Sequence, residues 1–253
     1  MAQRSCGRAL RTVISVVRPL LKLLTRHDWQ GGDSFPDGGF VIVANHISHV
    51  DPLTLGHFLV ESGTPPRFLA KASVLDVPLV GRILAASGQI PVYRGTATAS
   101  HAFDAAVEAV EAGKAVIIYP EGTITREPRQ WPMVGKTGAA RVALATSCPV
   151  IPVAQWGPER ILPPYSKRLR LWPPTTVTVR VGSCVPLDDL RGAELTTEIL
   201  REATDRIMTA ITALLEEIRG ERAPAVRYDP QLHALPCIGN PHRPEGPDEA
   251  RGA

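Results

Sequence analysis

Cysteine is sparse in this sequence of 253 residues, and none of the 4 cysteines is placed for a joint task. Cys6, Cys148, Cys184 and Cys237 lie far apart, with no C-x-x-C pair and no histidine spacing that suggests zinc. Four reduced, separately packed thiols are expected, and no metal site. Aromatic residues make up only 5% of the chain. Long apolar runs are missing as well. A spanning helix needs about 20 mostly apolar residues, and the one N-terminal candidate is interrupted by Arg18 and Lys22 and is followed by no small-residue cleavage site. That pattern leads one to expect neither a spanning helix nor a signal peptide in this stretch.

Acid is absent from the first 27 residues, where Arg4, Arg8, Arg11, Arg18, Lys22 and Arg26 give a charge of +6. The formal total is only +3, so the remaining 22 basic and 25 acidic residues leave the body at −3. Such local basicity argues against a general nucleic-acid binder and for a basic arm that meets an anionic surface. Leu10, Val13, Ile14, Val17, Leu20, Leu21 and Leu24 recur at helical spacing, with the cations largely between them and a bend expected at Pro19. This amphipathic helix fits a lipid interface. The competing expectation is a helix that docks its stripe on the protein's own core.

What is present is an ordinary globular composition, 44% hydrophobic and 21% charged, enough for a substantial core. Strands are expected over residues 41–44, 67–70, 90–93, 115–119, 150–154 and 176–181, several as continuous apolar runs. Helices are expected over 53–61, 78–86, 97–112, 137–146 and 196–219, the last with Leu200, Ala203, Ile207, Ile211, Leu214, Leu215 and Ile218 on one stripe. The alternation predicts an α/β fold, a mostly parallel sheet with helices on both faces. The chain divides into a basic amphipathic segment (1–30), an α/β domain (31–220) and a proline-rich tail (221–253) expected to be disordered.

The chemistry gathers where strands end. The first core strand runs into Asn45-His46-Ile47-Ser48-His49-Val50-Asp51-Pro52. A turn between strand and helix lets Asp51 return to one imidazole nitrogen of His46 and leave the other for substrate, which makes His46 a general base. Asp51-Pro52 also reads as a helix start, with Asp as N-cap. His49 is the weaker candidate base, its separation from Asp51 being too short. Arg94 closes G-Q-I-P-V-Y-R and offers a planar fork to phosphate. Pro120-Glu121-Gly122-Thr123-Ile124-Thr125-Arg126 supplies a close backbone approach, hydroxyls and a cation, with Glu121 able to orient a donor. A basic stretch, Arg160 with Lys167, Arg168 and Arg170, lies beside Tyr165 and Trp172 and suits lipid headgroups, coenzyme A phosphates or a plain solvated loop.

Two nucleotide and hydrolase signatures fail. Gly135-Lys136-Thr137 lacks the glycine a phosphate-binding loop needs at position 130, where Gln130 stands, and there is no Gly-x-Ser-x-Gly elbow.

Taken in order, N-H-x-S-x-x-D, G-x-I-x-V-x-R, P-E-G-T and V-I-P-V resemble the glycerophospholipid acyltransferase family, most closely its bacterial lysophosphatidic acid acyltransferases, over residues 30 to 190. The resemblance implies direct acyl transfer from acyl-CoA or acyl carrier protein to the sn-2 hydroxyl of lysophosphatidic acid, giving phosphatidic acid without a cofactor. It implies His46 as base, Asp51 as its orienting partner, and Arg94, Glu121, Gly122 and Thr123 around the acceptor's phosphate. Lys136 stands where the family often has another phosphate-binding lysine. Where the family usually has arginine after the E-G-T threonine, this chain has Ile124, and its next cation is Arg126. Another lysophospholipid or glycerol 3-phosphate as acceptor, a silent membrane-binding module, and a hydrolase using the same pair on water are the other readings. A peripheral or monotopic place on the cytoplasmic face of the cell membrane follows from the same resemblance.

Overall fold

The computed structural model describes residues 8–71, 82, 87–92 and 98–233. Six α-helices occur among them: α1 (Arg8–Leu24), α2 (Asp51–Glu61), α3 (Thr98–Glu111), α4 (Gly138–Thr146), α5 (Pro158–Ile161) and α6 (Thr197–Arg219). The strands are β1 (Thr25–Gln30), β2 (Phe40–Ala44), β3 (Arg67–Lys71), β4 (Ile90–Val92), β5 (Ala115–Ile118), β6 (Val150–Trp156) and β7 (Thr175–Val181). They form one sheet in the order β1-β7-β6-β2-β5-β3-β4. Every recorded pairing is parallel except that of β6 with β7.

The continuous apolar runs are explained by the layers on both sides. Successive strand residues point to opposite faces, so Val41, Val43, Val116 and Ile118 pack with α4 and α6 residues such as Ala140, Ile207 and Ile211. Phe40, Ile42, Ala115 and Ile117 pack on the other face with Leu55, Phe58 and Leu59 of α2. Every residue of β2 and β5 is buried. Helix α6 starts at an N-cap threonine, Thr196, whose hydroxyl accepts from Ile199 N, and stops at Gly220 in the left-handed region (φ 63°). The expected 78–86 helix falls almost wholly outside the described residues.

Two boundaries expected from sequence move. Residues 25–30 belong to the sheet, not to a separate N-terminal segment. They form edge strand β1, paired in parallel with β7 from Thr25 opposite Thr175 to Gln30 opposite Arg180. The strand is largely polar because an edge is half solvated, and it is tied down by Asp28, whose carboxylate oxygens accept from Arg180 at 3.1 and 2.9 Å. The folded part also runs past residue 220, after which a disordered tail was expected. Residues 221–233 lie against α6 and its neighbours: Val134 N donates to Tyr228 O (3.0 Å), Arg227 bonds Asp205 and Thr209, and Tyr228 stacks on His233.

Helix α1 docks on the body through one part of its apolar stripe. Leu10 and Leu21 are buried, and Val13, Ile14, Val17 and Leu24 are half-buried, whereas Leu20 is exposed. Its basic face is engaged as well. Arg18 donates two hydrogen bonds to Glu61 of α2 (2.6 and 2.8 Å), and Lys22 lies 3.2 Å from the same carboxylate, which holds Glu61 down at about 2. No helix among the described residues is long and apolar enough to cross a membrane.

Candidate active site

Strand β2 leaves the sheet at Ala44, and Asn45 extends its pairing by one residue with a side chain. Asn45 Nδ2 donates to Gln155 O (3.0 Å) and Asn45 Oδ1 accepts from Gln155 N (2.9 Å), while Thr54 Oγ1 donates to Gln155 Oε1 (3.0 Å). The exit of β2 is thereby locked to β6 and α2, and the next residue, His46, turns out of the sheet.

One carboxylate oxygen organises the turn. Asp51 Oδ2 lies 2.7 Å from His46 Nδ1 and also accepts from Ile47 N (2.6 Å) and Ser48 N (2.8 Å). Asp51 is fully buried, and burial of a charge is tolerable only with such charge-assisted partners. Asp51 is the first residue of α2 and not its N-cap, which is Val50 with no side-chain cap. The carboxylate points back into the loop, where Oδ2 alone meets the imidazole and both amides. With Nδ1–H donated to Asp51, Nε2 of His46 carries the lone pair. The side chain of His46 is 16% exposed and its ring stacks on Tyr119, with centroids 4.3 Å apart. His49 is exposed, two residues before an aspartate whose bonding oxygen already serves the loop.

The P-E-G-T segment follows β5 and sits beside this loop. Thr125 N donates to His46 O (2.8 Å). Glu121 was expected at the phosphate, and the structure turns it inward instead. Its Oε1 accepts from His46 N (3.1 Å) and its Oε2 from Met133 N (3.0 Å). Glu121 is buried, and that burial, opposed by the two amides and aided by nearby Asp51, pushes its carboxyl up to about 8. Glu121 therefore clamps the 45–51 loop to the 131–134 segment and is a positioning residue. Gly122 adopts φ +69°, and a Cβ there would stand 3.1 to 3.3 Å from Cδ, Cε and Nζ of Lys136. The lysine thus lies along the glycine, its own backbone N donating to Pro120 O (2.8 Å). Thr123 is half-buried beside them.

Ile124 and Arg126 also turn inward. Both are buried, with Arg126 Nε 3.4 Å from Tyr165 Oη, and Tyr165 in turn donates to Ile124 O (2.5 Å). Arg94 lies outside the described residues. The structure thus brings together His46, Asp51, Glu121, Gly122 and Lys136. The sequence reading missed the aromatic shelf of Tyr119 and the Asn45–Gln155 lock. The former sat unremarked at a strand end and the latter joins positions more than 100 residues apart.

A family model described as acyltransferase matches residues 26–156, just over half of the chain. The chain belongs to the acyltransferase family. A relative from Borreliella burgdorferi, named 1-acyl-sn-glycerol-3-phosphate acyltransferase, is 32% identical over 125 residues, covering 49% of this chain and 48% of its own. A chloroplastic protein of the same name from Brassica napus is 30% identical over 143 residues, 55% of this chain and 40% of the relative. The Bacillus subtilis protein of that name is 28% identical over 61% of this chain and 71% of its own. This chain spans about half the length of the first two relatives. The crystal structure of the 1-acyl-sn-glycerophosphate (LPA) acyltransferase PlsC from Thermotoga maritima superposes with a TM-score of 0.62 at 22% identity, covering 85% of this chain and 81% of that one, which shows a shared acyltransferase fold.

Proposed function

We propose that this chain moves a fatty acyl group from a thioester donor, acyl-CoA or acyl carrier protein, to the sn-2 hydroxyl of lysophosphatidic acid, giving phosphatidic acid. The observation that carries the reading is His46 Nδ1 held 2.7 Å from a buried Asp51 carboxylate, with Nε2 left to act on a hydroxyl. The names of the relatives supply the acceptor class.

In this reading Nε2 of His46 takes the hydroxyl proton as the oxygen attacks the thioester carbonyl. The tetrahedral intermediate collapses with cleavage of the C–S bond, and the imidazolium returns its proton to the departing thiolate. Asp51 stabilises the transient imidazolium and fixes the tautomer. General-base assistance of this kind is worth about 10² to 10⁴ in rate. Lys136 and Thr123, beside Gly122, are assigned to the acceptor's phosphate together with Arg94, and Arg126 supports that loop from within. Glu121, facing two backbone amides, holds the two loops in register instead of touching phosphate. The exposed apolar residues of α1, Val16, Leu20 and Leu23, favour a peripheral position on a membrane surface, which we place at the cytoplasmic face.

Free thiol release, followed with and without lysophosphatidate, tests the reading. Acceptor-dependent release supports it. Release regardless of acceptor identifies a hydrolase, and no release identifies a silent binding module.

A further inference from the structure

Between α5 and β7 the chain makes an excursion, residues 162–174, whose base is built onto the active site. Ser48 Oγ donates to Leu162 O (2.7 Å), Tyr165 Oη donates to Ile124 O (2.5 Å), and Arg170 N reaches back to Ile161 O (2.8 Å). Beyond these ties everything from Lys167 to Pro173 is exposed, and Trp172 is 79% exposed. The tip reads Lys167-Arg168-Leu169-Arg170-Leu171-Trp172, bracketed by Pro163-Pro164 and Pro173-Pro174. Four prolines with fixed φ lower the entropy of holding such a projection out in water. No acid occurs between Arg160 and Leu187, and no ion pair among the described residues engages Lys167, Arg168 or Arg170.

Two leucines and a tryptophan left in water, interleaved with three cations, call for a partner that is apolar just beneath an anionic layer. A folded protein partner needs about 800 Å² of matching surface on each side, and a single projecting tip is a poor match for that. A bilayer needs only an apolar tip to enter and phosphates to meet the cations, and tryptophan favours that depth. Position argues the same way. Strand β7 runs antiparallel to β6, so it begins at the end of the sheet where β2, β5 and β6 finish and where His46 and Glu121 stand. Thr175, directly after the loop, is paired with Thr25, directly after α1, whose last turns expose Leu20 (55%) and Leu23 (69%). The loop and the exposed end of α1 therefore reach one corner of the molecule.

We infer that the 167–172 loop is a lipid-docking element that sets Leu169, Leu171 and Trp172 into the interfacial layer of an anionic bilayer, with Lys167, Arg168 and Arg170 at the headgroup phosphates. Docking holds the His46 end of the sheet against the surface that carries an amphiphilic acceptor, a consequence that rests on the acyltransferase reading, although the docking itself does not.

The test uses the full chain and vesicles of phosphatidylcholine with or without about one third phosphatidylglycerol. Among the 4 tryptophans Trp172 is the exposed one, since Trp131 is buried and Trp29 and Trp156 are half-buried. Its emission is expected to shift to the blue on anionic vesicles and to be quenched by lipids brominated in the upper acyl chain, both signals vanishing in Trp172→Phe. Each cation near an anionic surface is worth about fivefold in partitioning, so the triple variant Lys167→Glu, Arg168→Glu, Arg170→Glu should lose at least a hundredfold. Its circular dichroism should be unchanged, because the three side chains are exposed, and it should match wild type on a short-chain, water-soluble acceptor. Vesicle binding and Trp172 emission untouched by the triple variant would overturn the inference. So would loss of affinity for an acidic carrier protein with vesicle binding intact. An absence of turnover in wild type counts against the acyl-transfer reading alone and leaves the vesicle result readable.

Discussion

At the scale of single residues, the acyl-transfer reading separates side chains proposed to act on substrate from side chains that hold other loops. His46→Ala should reduce acceptor-dependent thiol release by about 10² to 10⁴-fold with the far-ultraviolet spectrum unchanged, because a partly exposed residue at a strand exit contributes little to packing. Asp51→Asn should cost activity by misplacing the imidazole and also stability, by about 1 to 3 kcal/mol, since Oδ2 accepts from two amides as well as the ring. Thermal melting beside the thiol assay checks both effects. Glu121 carries a distinct pH signature. Burial raises its folded-state value from 4.5 to about 8, so the folded protein binds a proton that the unfolded chain releases. Its contribution to stability is therefore fully present below pH 4.5 and is lost as pH rises toward 8. Melting temperature should decline across that window, and Glu121→Gln should flatten the decline while lowering stability overall, because an amide cannot accept from both His46 N and Met133 N. Equal slopes in wild type and variant would defeat this assignment.

At the scale of elements, α1 is part of the fold as well as a candidate membrane contact, and its two faces should respond differently. Leu21→Ala, on the docked face, should cost about 2 kcal/mol by leaving a cavity under α1. Leu23→Ala, on the open face, should stay within about 0.5 kcal/mol. Chemical denaturation of the two variants measures the contrast, and similar losses would mean that the helix is not docked as observed. Deleting residues 1–26 would therefore not leave an intact domain, because it strips Leu10 and Leu21 from the core and Thr25 and Arg26 from β1. The strands most legible in sequence are those covered on both faces: β2, β5 and β6 announce themselves as unbroken apolar runs. Strand β1 does not, since Thr-Arg-His-Asp-Trp-Gln draws its stability from one parallel neighbour and from the Asp28–Arg180 pair, a partner 152 positions away. The His46–Asp51 pair was legible for the opposite reason, both members lying in one short turn. The inward turn of Glu121 was not, because the His46 amide it meets becomes its neighbour only once β2 and β5 are side by side, and the Met133 amide only once the irregular segment after β5 folds back.

At the scale of the whole molecule, the antiparallel reversal between β6 and β7 sends the chain back along the sheet and leads it through α6 to a segment that returns to the site. Tyr228 O receives Val134 N, Arg227 bonds Asp205 and Thr209 of α6, and Lys136, two residues beyond Val134, lies along Gly122. The segment after α6 thus braces the loop that presents Lys136, although its composition alone suggested a detached tail. A chain ending at residue 233 keeps this brace, and one ending at Gly220 loses it. The shorter truncation product should melt several degrees lower than the longer, given about 2 to 4 °C per kcal/mol at this size. It should also show a raised KM for lysophosphatidate with kcat little changed, because the brace supports the lysine assigned to phosphate and leaves the His46–Asp51 pair untouched. A neutral monoacylglycerol acceptor, lacking the phosphate, should register no such change in KM. Equal KM for lysophosphatidate in the two truncations would detach residues 221–233 from acceptor binding, and a matching loss of kcat would show that the brace reaches the catalytic loop itself.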